Sequence, residues 1–251
     1  LKTKMAKRFF FRFLPRYQAY LQLEAAVFSA DVSTRVMLLT PQQQEEYSQA
    51  YSISLDRIVL LPPGLKYQKP SDKAKVTQEI TLLFVATKFF NKGLDRAIKA
   101  LASLHQPHVK LKVIGGDDLT FFQKLIQQYH LETQVEFLGT RDDLFDLMCD
   151  ADILIHPARV EAAGMVLLEA VIAGLPILTT ENCGYAFHVK KAEAGIVLPM
   201  SFEQSVFNHA LNEMLDKNKR LRWHRNGVDY AKIANLYEMG EEAVRWIEGC
   251  A

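Results

Sequence analysis

Short apolar runs alternate with segments of three-to-four hydrophobic spacing along most of the chain. After residue 79 the pattern predicts strands over 80–86, 109–114, 135–138, 153–156, 177–179 and 196–198. Between them it predicts helices over 94–104, 119–129 and 165–173, a short one over 142–149, and helical structure from 202 to the end. Short apolar strands alternating with amphipathic helices indicate an α/β fold with a doubly wound parallel sheet covered on both faces. Earlier in the chain, residues 16–29 predict a helix whose Tyr20, Leu23 and Val27 form a buried stripe. Residues 35–40 and 57–61 read as buried strands, and Thr40-Pro41 offers an N-cap and a first-position proline for a helix through Ser48. Pro62-Pro63-Gly64 breaks this unit, and the aperiodic polar stretch that follows reads as a linker. The pattern thus divides the chain into 1–64, a linker at 65–79, a main domain at 80–235 and a last helix at 236–251.

Composition narrows the classes. Lys+Arg 30 against Asp+Glu 29 leaves a net charge of +1, so no general basic field marks a nucleic-acid binder. Cys149, Cys183 and Cys250 form no even set and no metal-ligand spacing, which suits a reducing compartment and predicts a cytoplasmic protein. The longest apolar run, 80–86, is strand-sized, far below the roughly 18 residues of a membrane span. The chain starts in mid-helical pattern without a secretory signal and reads as a piece of a longer protein. One local asymmetry stands out: within residues 1–16, Lys2, Lys4, Lys7, Arg8, Arg12 and Arg16 interleave with Phe9, Phe10, Phe11 and Phe13, and no acid precedes Glu24. On an anionic membrane surface each such cation contributes about 1 kcal/mol while the aromatics enter the interface. The alternative is that these aromatics pack in another part of the protein with solvated cations around them.

In a doubly wound sheet ligands bind beyond the carboxyl ends of the strands. The loop after 153–156 holds Glu161, two alanines and Gly164, and leads into an apolar helix that carries Glu169. Small residues let a ligand approach the backbone, and the free N–H groups at the helix start suit a phosphate. Glu161 and Glu169 would accept paired hydrogen bonds from sugar hydroxyls. The plain alternative is a helix with a solvated acid at each end. Against it, Glu169 sits among apolar neighbours, where an unpaired carboxylate is costly. Lys92 precedes a predicted helix, where a cation opposes the macrodipole unless an anion is near. Arg141 reads either as a base contact or as a surface arginine beside Asp142 and Asp143. Asp150-Ala-Asp152 matches a metal-binding D-x-D, but Asp152 opens a strand and belongs to the wrong edge of the sheet, so no metal is expected. His156 and His188 read either as donors to a ligand or as satisfied structural groups.

The segment EAAGMVLLEAVIAGLP, following a hydrophobic strand and His156-Pro157, resembles the E-x7-E signature of the retaining GT-B glycosyltransferases of family 4. Residues 84–96, 111–116 (LKVIGG), 135–141 (VEFLGTR) and 151–157 (ADILIHP) are similar to that family's segments in the same order, and TTENCGYA at 179–186 resembles the lipopolysaccharide-core glucosyltransferases among them. The resemblance covers about 35–250. It implies a GT-B fold of two Rossmann-like domains, of which 1–64 is the end of the acceptor-side one, and transfer of glucose from UDP-glucose to an inner-core heptose of lipopolysaccharide with retention. No cofactor is implied, UDP-sugar being the donor substrate. Glu169 would hold the ribose, Glu161 the transferred sugar, the backbone of residues 163–166 the sugar and diphosphate, Lys92 the diphosphate, and Arg141 the neighbourhood of the base. The catalytic pair would be Lys92 and Glu161, in an enzyme peripheral on the inner face of the inner membrane. The first loop departs from the pattern, with Ala86 at a glycine position and Asn91 at an arginine position. A nucleotide-sugar-binding module without catalysis is the alternative.

Overall fold

The computed structural model describes residues 14–29, 31–69 and 79–249. The chain divides into two compact units, residues 1–61 with 241–251, and residues 62–240. The sequence pattern had set 236–251 apart as one terminal element and begun a linker at 65; in the structure the Leu65 amide already donates to Leu236 O at 3.0 Å within the second unit.

In the first unit, α1 (Pro15–Phe28) leads to β1 (Val36–Leu38), α2 (Pro41–Tyr51) and β2 (Ile58–Leu60). The two strands pair in parallel, Val36 opposite Ile58. Thr40 caps α2 as its position predicts, its hydroxyl accepting from the Gln43 amide at 3.1 Å. Val36, Leu38, Ile53 and Ile58 form a small core closed by the rings of Phe28, Tyr47 and Tyr51. The buried Arg57 guanidinium donates to Val27 O, Ser29 O and Thr34 O, so it satisfies carbonyls at the end of α1. The stripe expected to be buried on α1 is not: Tyr20 is 52% and Leu23 61% exposed, and only the last residue of the helix, Phe28, reaches the core. In the C-terminal part of this unit the Arg35 guanidinium lies 5.0 Å over the Trp246 ring.

The second unit is built on a six-stranded parallel sheet of β3 (Ile80–Val85), β4 (Val109–Ile114), β5 (Val135–Gly139), β6 (Ile153–His156), β7 (Ile177–Thr180) and β8 (Gly195–Leu198), in the order β5-β4-β3-β6-β7-β8. Helices α3 (Phe89–Lys92), α4 (Leu94–Leu104), α5 (Thr120–Gln128), α6 (Leu144–Asp150), α7 (Met165–Ala173), α8 (Ala186–Ala192), α9 (Gln204–Met214) and α10 (Lys217–Ile233) connect and follow the strands. A last helix, α11, spans Met239–Glu248. The central strands β3, β6 and β7 are buried on both faces, with Leu82, Leu83, Phe84, Ile153, Leu154 and Ile155 fully enclosed, which is why they read as apolar runs, while β4 alternates with Lys110 and Lys112 and the edge strand β5 is partly exposed. Two short helices, α3 and α8, have no counterpart in the sequence pattern. The connections leave β3 toward β5 and β6 toward β8, so the order reverses between β3 and β6 and opens a crevice at their carboxyl ends.

Candidate functional site

The crevice is lined by the loops that follow β3 and β6. After β3 the chain turns into α3, whose first amide, that of Phe89, donates to Asp117 Oδ2 at 2.9 Å. The buried Phe89 ring anchors this turn in the core. Gly93 ends α3 at φ +82° and starts α4; a Cβ there would lie 2.2 Å from Pro157 O, so only glycine lets the α3–α4 junction approach the end of β6. The two loops are also stitched together. Arg159 makes a two-pronged ion pair with the buried Asp95, both contacts at 2.8 Å, while its amide donates to Asn91 O at 2.9 Å. Its guanidinium stacks 4.0 Å over Phe90, and Arg96 Nη1 donates to Pro157 O at 3.1 Å.

This frame brings Lys92 and Glu161 into contact. The Lys92 ammonium pairs with Glu161 Oε2 and lies 3.4 Å from Val160 O. Lys92 therefore closes α3, and its charge is met by a carboxylate of the protein, which corrects the expectation of a cation set against a helix start. His156 Nε2 stands 3.8 Å from the same carboxylate oxygen. The imidazole beside it, and after the opposing push of burial the Lys92 ammonium, hold the Glu161 carboxyl at about 2. The Glu161 backbone is fixed by β7's loop: its amide donates to Asn182 O at 3.0 Å, Gly184 N donates to Glu161 O at 2.9 Å, and Tyr185 N donates to Ala163 O at 2.7 Å. Glu161 and Cys183 form a parallel bridge. Burial pushes the Cys183 thiol up to about 11.

Gly164, at φ +89°, turns the chain into α7, and no side chain caps the helix start that Met165 and Val166 provide. One turn on, Glu169 is half-buried, its carboxyl raised by that burial, and no described residue gives it a hydrogen bond or an ion pair. It faces a cavity of about 270 Å³ lined also by Gly64, Lys66, Gln68, Met165 and Ile172. The acidic pair, the small-residue turn and the helix start thus converge at one strand end.

The remaining expectations lie elsewhere. Arg141 stands in the loop after β5 with its guanidinium engaged by Asp143 at 2.8 and 2.6 Å, outside the Lys92–Glu161 contact. Asp152 accepts from the Thr81 amide at 2.9 Å and faces Arg220 at 3.8 Å, at the amino ends of β3 and β6, opposite the crevice. Among the described residues no group of three or more metal-ligating side chains converges. His188 is bound to the Tyr230 hydroxyl at 2.6 Å, and burial lowers it to about 4. The basic stretch 1–13 lies outside the described residues. Asp95, Arg96, Arg159 and Asp117, which set the crevice walls, escaped sequence reasoning because each acts through a partner distant in the chain.

Comparison with known proteins identifies the family and the fold. The profile of the glycosyl transferases group 1 matches residues 66–229. The lipopolysaccharide glucosyltransferase WaaG of Escherichia coli K12 is 36% identical over 265 residues, spanning 99% of this chain and 71% of that protein. The crystal structure of WaaG, a glycosyltransferase involved in lipopolysaccharide biosynthesis, superposes with a TM-score of 0.86 at 35% identity over 99% of this chain and 72% of its own. A phosphatidylinositol N-acetylglucosaminyltransferase GPI3 subunit of Saccharomyces cerevisiae is 28% identical over 60% of this chain, which covers 36% of that protein. The Anabaena Alr3699/HepE structure solved with UDP-glucose has the same fold, with a TM-score of 0.75 at 20% identity over 92% of this chain and 68% of its own. A parallel sheet with its crevice at the β3/β6 reversal, the E-x7-E turn within it and a profile match over most of the chain lead to one assignment: this is a GT-B chain of the glycosyl transferases group 1 family.

Proposed function

We propose that this chain carries the donor-binding half of a retaining glycosyltransferase that moves glucose from UDP-glucose to an inner-core heptose of lipopolysaccharide. The observation that carries this reading is the Lys92–Glu161 pair beside the uncapped start of α7, with the unpartnered Glu169 one turn further on. A diphosphate at the helix start would meet the backbone N–H groups of residues 163–166 and draw the Lys92 ammonium to itself. The ribose diol offers Glu169 the two donors it lacks, and the sugar hydroxyls offer the same to Glu161. Departure of UDP leaves an oxocarbenium-like sugar, and Lys92 with the helix start stabilises the charge that develops on the leaving phosphate, a contribution that transfers no proton. In this reading the site works without a metal and without a cofactor, and Arg141 swings from Asp143 to the base.

The acceptor class rests on similarity to WaaG, a lipopolysaccharide glucosyltransferase. An acceptor embedded in a membrane calls for an enzyme on the cytoplasmic face of the inner membrane, and the basic, aromatic residues 1–16 suit an anionic lipid surface. No helix among the described residues is long and apolar enough to cross a membrane.

Calorimetric titration of this chain with UDP, UDP-glucose, ADP-glucose and GDP-mannose, without added metal, tests the donor site. The expected result is binding of the UDP compounds, weakened about tenfold or more by Glu169→Ala, the loss of one charge-assisted hydrogen-bond pair. Binding of UDP-glucose without any transfer or hydrolysis by the longer protein favours a non-catalytic module instead.

A further inference from the structure

We infer that His156 is the positioning residue that keeps the Glu161 carboxylate aimed when a donor draws Lys92 away from it. The inference rests on the donor-site reading and adds a part that the reading does not contain. His156 is the last residue of β6 and only 1% exposed, yet neither ring nitrogen has a hydrogen-bond partner. A buried imidazole is ordinarily satisfied, so an orphaned one at a crevice marks a bond made in another state. The ring is held where it stands: it stacks on Phe84 at 6.4 Å and 29°, and the Thr179 hydroxyl donates to His156 O at 2.9 Å.

Its Nε2 faces Glu161 Oε2 at 3.8 Å, the same oxygen that pairs with the Lys92 ammonium. One carboxylate oxygen is thus shared between a mobile cation and a fixed imidazole. The groups that face Glu161 are Lys92 from α3, His156 from β6 and the Cys183 thiol from the loop after β7. Cys183 is turned to the Thr179 hydroxyl at 3.4 Å and carries no charge. When a diphosphate takes the ammonium, His156 is the donor that remains. A shift of about 1 Å in the glutamate side chain brings the pair to hydrogen-bond distance. The carboxylate then stays ionised with its other oxygen free for a sugar hydroxyl. This role requires a proton on Nε2.

The test compares wild type, His156→Leu and His156→Gln in binding UDP and UDP-glucose by calorimetry. Glu161 acts on the sugar, so His156→Leu is expected to weaken UDP-glucose about tenfold and UDP less than about twofold, and His156→Gln, which keeps a donor, to recover most of the loss. Unchanged UDP-glucose affinity in His156→Leu, or an equal loss for both nucleotides that Gln does not restore, overturns the inference. Histidine 15N spectra of the wild-type chain supply a readout independent of how the variants fold. The proton is expected on Nε2, its resonance moving downfield with UDP-glucose; a proton on Nδ1 in both states rejects the role. A wild-type chain that binds neither nucleotide overturns the donor-site reading, and this inference with it, which the wild-type control separates from failure of His156 alone.

Discussion

At the scale of single residues the crevice is organised by one carboxylate and the two basic groups beside it. Removing the ammonium with Lys92→Met takes away one of the two basic neighbours and leaves the imidazole of His156, so the Glu161 carboxyl should rise part of the way from about 2 toward the ordinary 4.5. Because the folded value lies below the unfolded one, Glu161 contributes stability that is present above pH 4.5 and lost as pH falls toward 2. Urea unfolding across that window is expected to show a shallower slope in Lys92→Met than in wild type. If Lys92 stabilises the departing phosphate, the same variant of the longer protein should transfer sugar about 10²–10³-fold more slowly, as loss of one transition-state donor does. Cys183 supplies a neighbouring probe: buried and raised to about 11, its thiol should resist a disulfide reagent at pH 8 until the chain unfolds, whatever Cys149 does. The turn of small residues after Glu161 marked this strand end in the sequence as a place for a ligand, whereas the contact of Lys92 with Glu161 joins positions far apart and left no local signal. His156 was open to two readings there, since an orphaned nitrogen is visible only once its surroundings are known.

Among the elements, the junction of α3 with α4 decides where Lys92 points. Gly93→Ala puts a Cβ at 2.2 Å from Pro157 O in a left-handed conformation, so it should cost about 2 kcal/mol or more, read as a lower denaturation midpoint with an unchanged slope. The strands of the large sheet were legible almost residue for residue, since the central ones, buried on both faces, are written as apolar runs, and β4 keeps its apolar residues on alternate positions between Lys110 and Lys112. Helix α3 was not, because four residues complete barely one turn and give no periodicity to detect. Helix α8 escaped for a similar reason: seven residues, no side-chain N-cap, and two lysines in its last turn make it look like a polar loop. The Arg159–Asp95 pair joins positions 64 apart, a link that no local pattern encodes.

Over the whole molecule, the doubly wound sheet followed from the alternation of strands and helices, and with it the expectation that the chemistry lies at the carboxyl ends of the central strands. The division into units was less legible. A segment's unit is set by long-range packing, so the return of residues 241–251 to the first unit left no mark on the sequence pattern. The exposed apolar residues of α1 make the same point, for their spacing records a helix but not what covers it. Stability against acid is also a property of the whole fold. His188 is neutral when folded, lowered to about 4 by burial, but has an unfolded value of 6.5. The unfolded chain therefore binds the extra proton, and stability should fall as pH drops from 6.5 to 4, by about 3 kcal/mol. Calorimetric melting at pH 7, 5.5 and 4.5 checks this, and His188→Phe should flatten the dependence.

The backbone bonds between residues 161–163 and 182–185 have a consequence for protein engineering. Two loops widely separated in sequence act as one cassette, since each supplies the main-chain partners that hold the other in register. A chimera that imports the Glu161 turn from a relative with another sugar preference, while keeping its own loop after β7, inherits half of a joint. Exchanging both loops together transplants the joint whole, and donor preference is then expected to travel with it.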